Sequence, residues 1–470
     1  MPPLNPLQKK CLALAITQTL ATTAHAATIE VNNGGDNDTG CTLREAITSF
    51  NDQTLAAGCS YSSGTLAEPG TITFSNSVAS STIVLDGNQL EINNNANISI
   101  QGAGVTVDAN FQSRLLNVSN ATVSIDSMTL TGGGFEGGET SSVDAIQVRD
   151  ASLTLSNSTL SNNQAATYAS VLDASRSEVT ITNTSISNNS DSPAEYGYSL
   201  LLFRDCPSVT FNEVTVNDNQ NYFYILDILD SNNVSINAST VSSNITSAAN
   251  ILNIRRNDTV SITNSTISDN TSRTELMRLI DNFVTISNST ISNNTPTRSS
   301  ATEVFSVNNT ELTLINATVN NPPFETNFRL SNNGAYSGST QVSLVNSIVA
   351  STSSNNCTIF NNTASLDDIT SDSNSIIEGG GCDTQARNID PQLGPLADNG
   401  GLTLTHSLLS GSPAINTGDN ATCEATDQRG ETRQLSARNP CDVGAFEALD
   451  ENTQTFVIPL DNGKTVIFDL

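Results

Sequence analysis

Val284-Thr-Ile-Ser-Asn-Ser-Thr-Ile-Ser-Asn-Asn294 is one copy of a phrase that the chain repeats. Other copies begin at Val123, Leu153, Val179, Val209, Val234, Val260, Leu312 and Val342, in steps of 24 to 30 residues. Self-similarity at such a period marks a solenoid, a propeller or an array. Within a copy the first residue is Val or Leu, the third Ile, Leu or Phe, and the eighth Leu, Ile or Val. Thr or Ser usually stands between the first and third, the alternation of a short strand with one buried face. The sixth residue is mostly small and the seventh mostly Thr or Ser, so six and eight also face inward. The step from three to six breaks the period of two and marks a corner.

That corner often carries Asn: Asn157, Asn183, Asn264, Asn288, Asn316 and Asn346. Asn tolerates the left-handed backbone that a tight bend requires. Stacked coil on coil, these side chains are expected to bond one another in a ladder, as identical amides do in cross-β assemblies. A further apolar run precedes most copies, as at Leu200 to Phe203, Ile225 to Leu229 and Ile251 to Ile254. Three short strands and one variable loop per period define an all-β fold, a right-handed parallel β-helix, right-handed because parallel connections are. A propeller blade needs a longer period, and the Thr, Ser, Asn and Val content disfavours helical repeats.

Residues 1–26 read as a secretory signal peptide: Lys9 and Lys10, an apolar stretch from Cys11 to Ala24, and a small-x-small site at Ala24-His25-Ala26. The stretch is too short and too Thr-rich to span a bilayer, and no later segment could cross one as a helix. The formal net charge is −29. Removing the leader takes away two of 18 basic residues and none of the 47 acidic ones. Such a chain repels nucleic acid and anionic membranes. No cofactor is required; Ca²⁺ bound by loop Asp and Asn oxygens is compatible with the composition, but no Asp-rich motif designates ligands.

Six cysteines fall into nearby pairs, Cys41 with Cys59, Cys357 with Cys382, and Cys423 with Cys441. In an exported protein such pairs read as disulfides. Cys206 follows an apolar run and reads as a buried free thiol.

Cys41-Thr-Leu-Arg-Glu-Ala-Ile47 has capping-box spacing at Thr42 and Glu45 and one apolar helical face. It predicts a short helix over the N-terminal end of the rod, within a cap at 27–70, because solenoids need capping units. The segment resembles the Cys-Ser-Leu-Arg-Glu-Ala motif of a family of bacterial exported repeat proteins, with Thr42 where that family usually has Ser. The β-helix is expected over 71–350. From 351 to 449 the repeat decays into a turn-rich closing region. Asp390-Pro-Gln-Leu-Gly-Pro-Leu396, Gly411-Ser-Pro-Ala-Ile-Asn416, Asp427-Gln-Arg-Gly430 and Cys441-Asp-Val-Gly-Ala-Phe-Glu447 resemble the choice-of-anchor Q domain of bacterial surface β-helix proteins. These resemblances imply export and a β-helix, and no defined reaction. Residues 450–470 read as a final hairpin or sorting tail, with Asn462-Gly463 between two apolar runs.

Parallel β-helices host polysaccharide lyases and hydrolases. After leader removal this chain keeps one His, His406, and one Lys, Lys464, and the arginines of its body form no coherent cluster. Arg255-Arg256 reads as an isolated solvated pair. Asp173, Asp205, Asp227 and Asp230 follow the same apolar run in successive coils, and paired carboxylates hydrolyse glycosides. The expected function is an exported, cell-surface or secreted adhesin-like scaffold, without catalysis, for a polysaccharide or protein ligand. The alternative is an extracellular lyase or glycoside hydrolase acting on acidic polysaccharide. The scarcity of aromatics, 5% with no Trp, argues against strong carbohydrate stacking and weakens the enzyme reading.

Overall fold

The computed structural model describes residues 26–448 except 38, 63, 67–68, 135–143, 166–168, 192–197, 299–301, 333–338, 351–355, 360–367, 383 and 437, together with the backbone of 455–459 and 465–469. Residues 1–25, all but the last residue of the expected leader, lie outside the described residues.

The chain winds as a right-handed parallel β-helix. Its wall is three parallel sheets. The first has 13 strands, the second 12 and the third 11, and six very short strands form a fourth. Copies of the phrase stack in register: Val260 pairs with Val284, Val284 with Leu312, and Leu312 with Val342. Positions one, three and eight of the phrase, such as Val284, Ile286 and Ile291, point into a continuous apolar interior. The rod exceeds the expected 71–350 at both ends. Thr28–Val31 already pairs in parallel with Gly70–Phe74, and Cys357–Ile359, Ile369–Ser371 and Ile376–Ile377 continue the sheets. Among the described residues no helix is long and apolar enough to cross a membrane.

All six corner asparagines adopt positive φ, between 44° and 51°. The ladder expected of them is not continuous. Asn183 donates to Asn157 at 2.7 Å, but Asn264 turns to Asn237. Asn288, Asn316 and Asn346 bond Thr426, Asp442 and Asp419 of the closing region. A left-handed corner residue projects its side chain outward, where a neighbour competes for it. The continuous ladder runs instead through Asn163, Asn189, Asn219, Asn244, Asn270, Asn294 and Asn321, each at most 1% exposed. Each Nδ2 donates to the next Oδ1 at 2.9–3.0 Å. Each Nδ2 also donates to a carbonyl of the preceding coil, and each Oδ1 after the first takes a backbone N–H as well, as at Asn244. Buried amides are thereby satisfied, as an apolar wall demands.

Helix α1 (Leu43–Asn51) forms with Thr42 and Glu45 in a reciprocal capping box. Leu43, Ala46, Ile47 and Phe50 are buried against the first coils. Gly70 is required because the Phe50 ring occupies the space a Cβ would take. Arg44 grips Asp36 through two nitrogens at 2.7 and 2.9 Å and donates to the carbonyls of Asn88 and Gln89, tying helix to rod. The three expected disulfides are present, Cys41–Cys59, Cys357–Cys382 and Cys423–Cys441. Cys206 is free and buried, and burial pushes its thiol pKa up.

The closing region lies along the flank of the rod, over the second sheet. Thr266 Oγ1 donates to the Leu404 carbonyl, Thr290 Oγ1 to Gln428 Oε1, and Ala445 N donates to Thr318 Oγ1. Ile348, Ala350 and Ile376 of the rod share a second small core with Leu408, Ala414, Val443 and Phe446. His406 is buried between Ser292 Oγ and the Gly394 carbonyl, both at 2.7 Å, and burial lowers its pKa. It fastens the block to the rod. Arg433, fully enclosed, bonds Glu447, the Gly444 carbonyl and Asn288. The terminal hairpin is present, Thr455–Pro459 antiparallel to Thr465–Asp469; its Asn462-Gly463 turn lies outside the described residues.

Candidate functional site

Strands of the third sheet alternate apolar residues inward with polar ones outward, as in Ile146–Arg149, Tyr224–Leu229 and Leu252–Arg255. Register then stacks the outward residues. One row runs Gln147, Asp173, Leu202, Asp227, Asn253, Arg278, Ser306, Arg329. A second runs Arg149, Ser175, Arg204, Leu229, Arg255, Ile280, Asn308. This gathers Arg114, Arg149, Arg204, Arg255, Arg278 and Arg329 on one face, each with a carboxylate.

The pairs are layered. Arg149 and Arg204 approach Asp173 from either side, at 2.5 and 3.0 Å. Their side chains are 26% and 40% exposed, and that of Asp173 is 7%. The Arg329 side chain is likewise 26% exposed over Glu303 at 2%. Asp227 accepts from Asn253 and Ser199, with Arg255 at 3.7 Å. Carboxylates form the floor and guanidinium groups the surface. Burial raises the pKa of Asp227 and of Glu303. Burial first, then the charge of Asp173, raises Asp144 to about 6. Asp144 accepts from Ser170 N and Gln147, beside Arg114.

This arrangement corrects three expectations. Asp173 and Asp227 do lie on one face, but two coils apart, about 10 Å at roughly 4.8 Å per coil, with Leu202 between. Asp205 and Asp230 sit at the left-handed corner, φ 54° and 53°, where Asp230 pairs with Arg256 at 2.6 Å. The four carboxylates therefore form no single site. Arg255-Arg256 is no solvated pair: Arg255 joins the face and Arg256 the corner. The arginines do form a cluster, across coils. Its one signal along the chain is an Arg ending apolar runs, at Arg149, Arg204 and Arg255.

Several buried polar atoms on this face have no hydrogen-bond partner: Ser170 Oγ, Asn253 Oδ1, Arg255 Nε and Asn327 Oδ1. Tyr224 adds a half-buried ring, packed edge-on against Phe223 at 4.7 Å. Tyr198, whose carbonyl accepts from Phe223 N, is 39% exposed. Among the described residues no three His, Cys, Asp or Glu side chains gather to hold a metal ion.

No family model matches the chain, and no curated protein matches it. Solved structures similar to it include pectate lyase Pel9A, at 13% identity and a TM-score of 0.36, covering 90% of this chain and 98% of that one. The PL6 family alginate lyase AlyGC has 13% identity and a TM-score of 0.39, over 91% and 60%. Alginate lyase AlyF-OU02 has 9% and 0.37, over 92% and 99%. At such identities and scores nothing about reaction or substrate passes to this chain, and its function rests on its own residues.

Proposed function

We propose that this protein is an exported β-helix scaffold that binds acidic polysaccharide along the third sheet. One observation carries the reading: guanidinium groups overlie buried carboxylates on one face of a chain whose net charge is −29. A linear polymer laid along the rod meets a new coil about every 4.8 Å, and many weak anion contacts add up. Guanidinium suits this task because it bonds carboxylate or sulfate through a planar fork. Tyr224 and Tyr198 offer rings to a sugar face. Binding rather than cleavage is favoured because the floor carboxylates are already engaged. Asp173 accepts from Arg149 and Arg204, Asp227 from Asn253 and Ser199, and Glu303 from Arg329. The leader and the motif resemblances support export.

Asp144 favours a second reading, cleavage of the same polymer, since a carboxylate near neutral pKa suits a general base. The two separate in one screen of the purified protein with polygalacturonate and alginate, with and without Ca²⁺. Retention of polymer, weakened by salt, with no unsaturated product is the expected result. Unsaturated uronate released by the protein and abolished by Asp144→Asn would replace binding with lysis. No retention and no product would sink both readings.

The pH dependence has a definite sign. The folded pKa of Asp144, about 6, exceeds the ordinary carboxylate value of about 3.9. Folding therefore favours the protonated form. Its contribution to stability is present at low pH and is lost as pH rises through the folded value. Protonation also removes a negative charge beside Arg114 and Arg149. Polyanion affinity should accordingly rise roughly threefold as pH falls from about 7.5 to 5.5, the worth of one partly screened charge. Isothermal titration at both pH values checks this, and Asp144→Asn should abolish the difference.

A further inference from the structure

At the border of the arginine strip, on the coil of Arg278 and the next one before Arg329, three oxygen atoms stand without donors. They are Asp281 Oδ2, Asn308 Oδ1 and Asn309 Oδ1, all shielded from solvent. They come from consecutive coils: Asp281 N donates to the Asn308 carbonyl at 3.0 Å, and Asn309 Nδ2 donates to Asp281 Oδ1 at 3.1 Å. Asn309 is only 5% exposed. Its orientation is fixed, because turning the amide over would set its oxygen against Asp281 Oδ1. All three unsatisfied atoms are acceptors, one of them on a carboxylate, so the site lacks an electrophile and not an anion. We propose that Asp281, Asn308 and Asn309 bind a hard cation, Ca²⁺, through carboxylate and amide oxygens. Such cations take several oxygen ligands, waters included.

Asp281 lies at a left-handed corner, φ 57°, and Asn tolerates that conformation well. Asp281→Asn should therefore fold while losing the only charge of the donor set. Asn309→Asp adds a second carboxylate. The inference needs no glycan and stands apart from the polysaccharide reading.

The test uses the full exported chain, freed of metal with a chelator, then titrated with Ca²⁺ by calorimetry and followed by thermal melting. Mg²⁺ and Na⁺ serve as comparators. The expected result is one Ca²⁺ site that raises the melting temperature, is lost in Asp281→Asn, and tightens about tenfold in Asn309→Asp, the gain of one added charged ligand. No Ca²⁺ response in the unaltered chain overturns the site, as does a response that survives Asp281→Asn or is matched by Na⁺. Should Asp281→Asn not fold, unchanged Ca²⁺ affinity in Asn309→Asp overturns it alone.

Discussion

Replacing Asn244 by alanine is expected to destabilise the middle of the rod by about 3–5 kcal/mol, since each buried group left unsatisfied costs about 1–3 kcal/mol. Asn244 is fully buried. Its Oδ1 accepts from both Asn219 N and Asn219 Nδ2, and its Nδ2 donates to the Val216 carbonyl and Asn270 Oδ1. Truncation strips partners from all four groups, in a wall too tight to admit water freely. Asn157→Gly is the control, because glycine keeps the left-handed corner, φ 48°, without strain. Asn157 Nδ2 donates only to Asp126, in a bond at the surface, and its Oδ1 accepts only from Asn183 there. That change should cost less than about 1 kcal/mol, as an exposed bond does. Urea unfolding of both variants measures the difference, and amide exchange near coils 219–270 localises it. Equal losses would mean that the buried ladder holds nothing the corner does not.

Replacing Arg149, Arg204 and Arg255 together by Gln is expected to weaken acidic polysaccharide binding at least about 100-fold. The figure allows about 1.5 kcal/mol or more for each charge-assisted hydrogen bond to the polymer that the change removes. A buried carboxylate without its partner is costly, so the change is made along with Asp173→Asn and Asp227→Asn. That keeps the floor satisfied and separates loss of binding from loss of fold. Circular dichroism and melting confirm the fold, and titration with polymer reads the affinity. Retained affinity would show that the surface layer of guanidinium groups does not meet the ligand.

The rod itself was legible because one residue phrase recurs with the same inward positions, and inward positions are what stacked coils share. The helical cap was legible from Thr42 and Glu45, and the disulfides from cysteines close along the chain. The arginine strip was not. Arg149 and Arg204 belong to coils two apart, and they meet over Asp173 only once the register is known. Loops of unequal length between copies hide that register. The ladder was misplaced for a different reason. The phrase carries Asn at its fifth and its eleventh residues, and composition does not say which side chain turns into the wall. The left-handed corner throws the fifth outward, and the eleventh lies inside. The docking of the closing region on the flank also escaped, because Gly and Pro turns declare their own shape and not their neighbour. Thr266, Thr290 and Thr318 receive it, and they look like every other Thr of the repeat.

Amide hydrogen exchange of the purified protein, with and without saturating polygalacturonate, tests the polysaccharide claim most directly. The predicted footprint is slowed exchange along the third sheet from Ile146–Arg149 to Met277–Ile280, with the first sheet at the same coils unchanged. Protection confined to the first sheet or to the closing region, or none at all under conditions where polymer is retained, would contradict it.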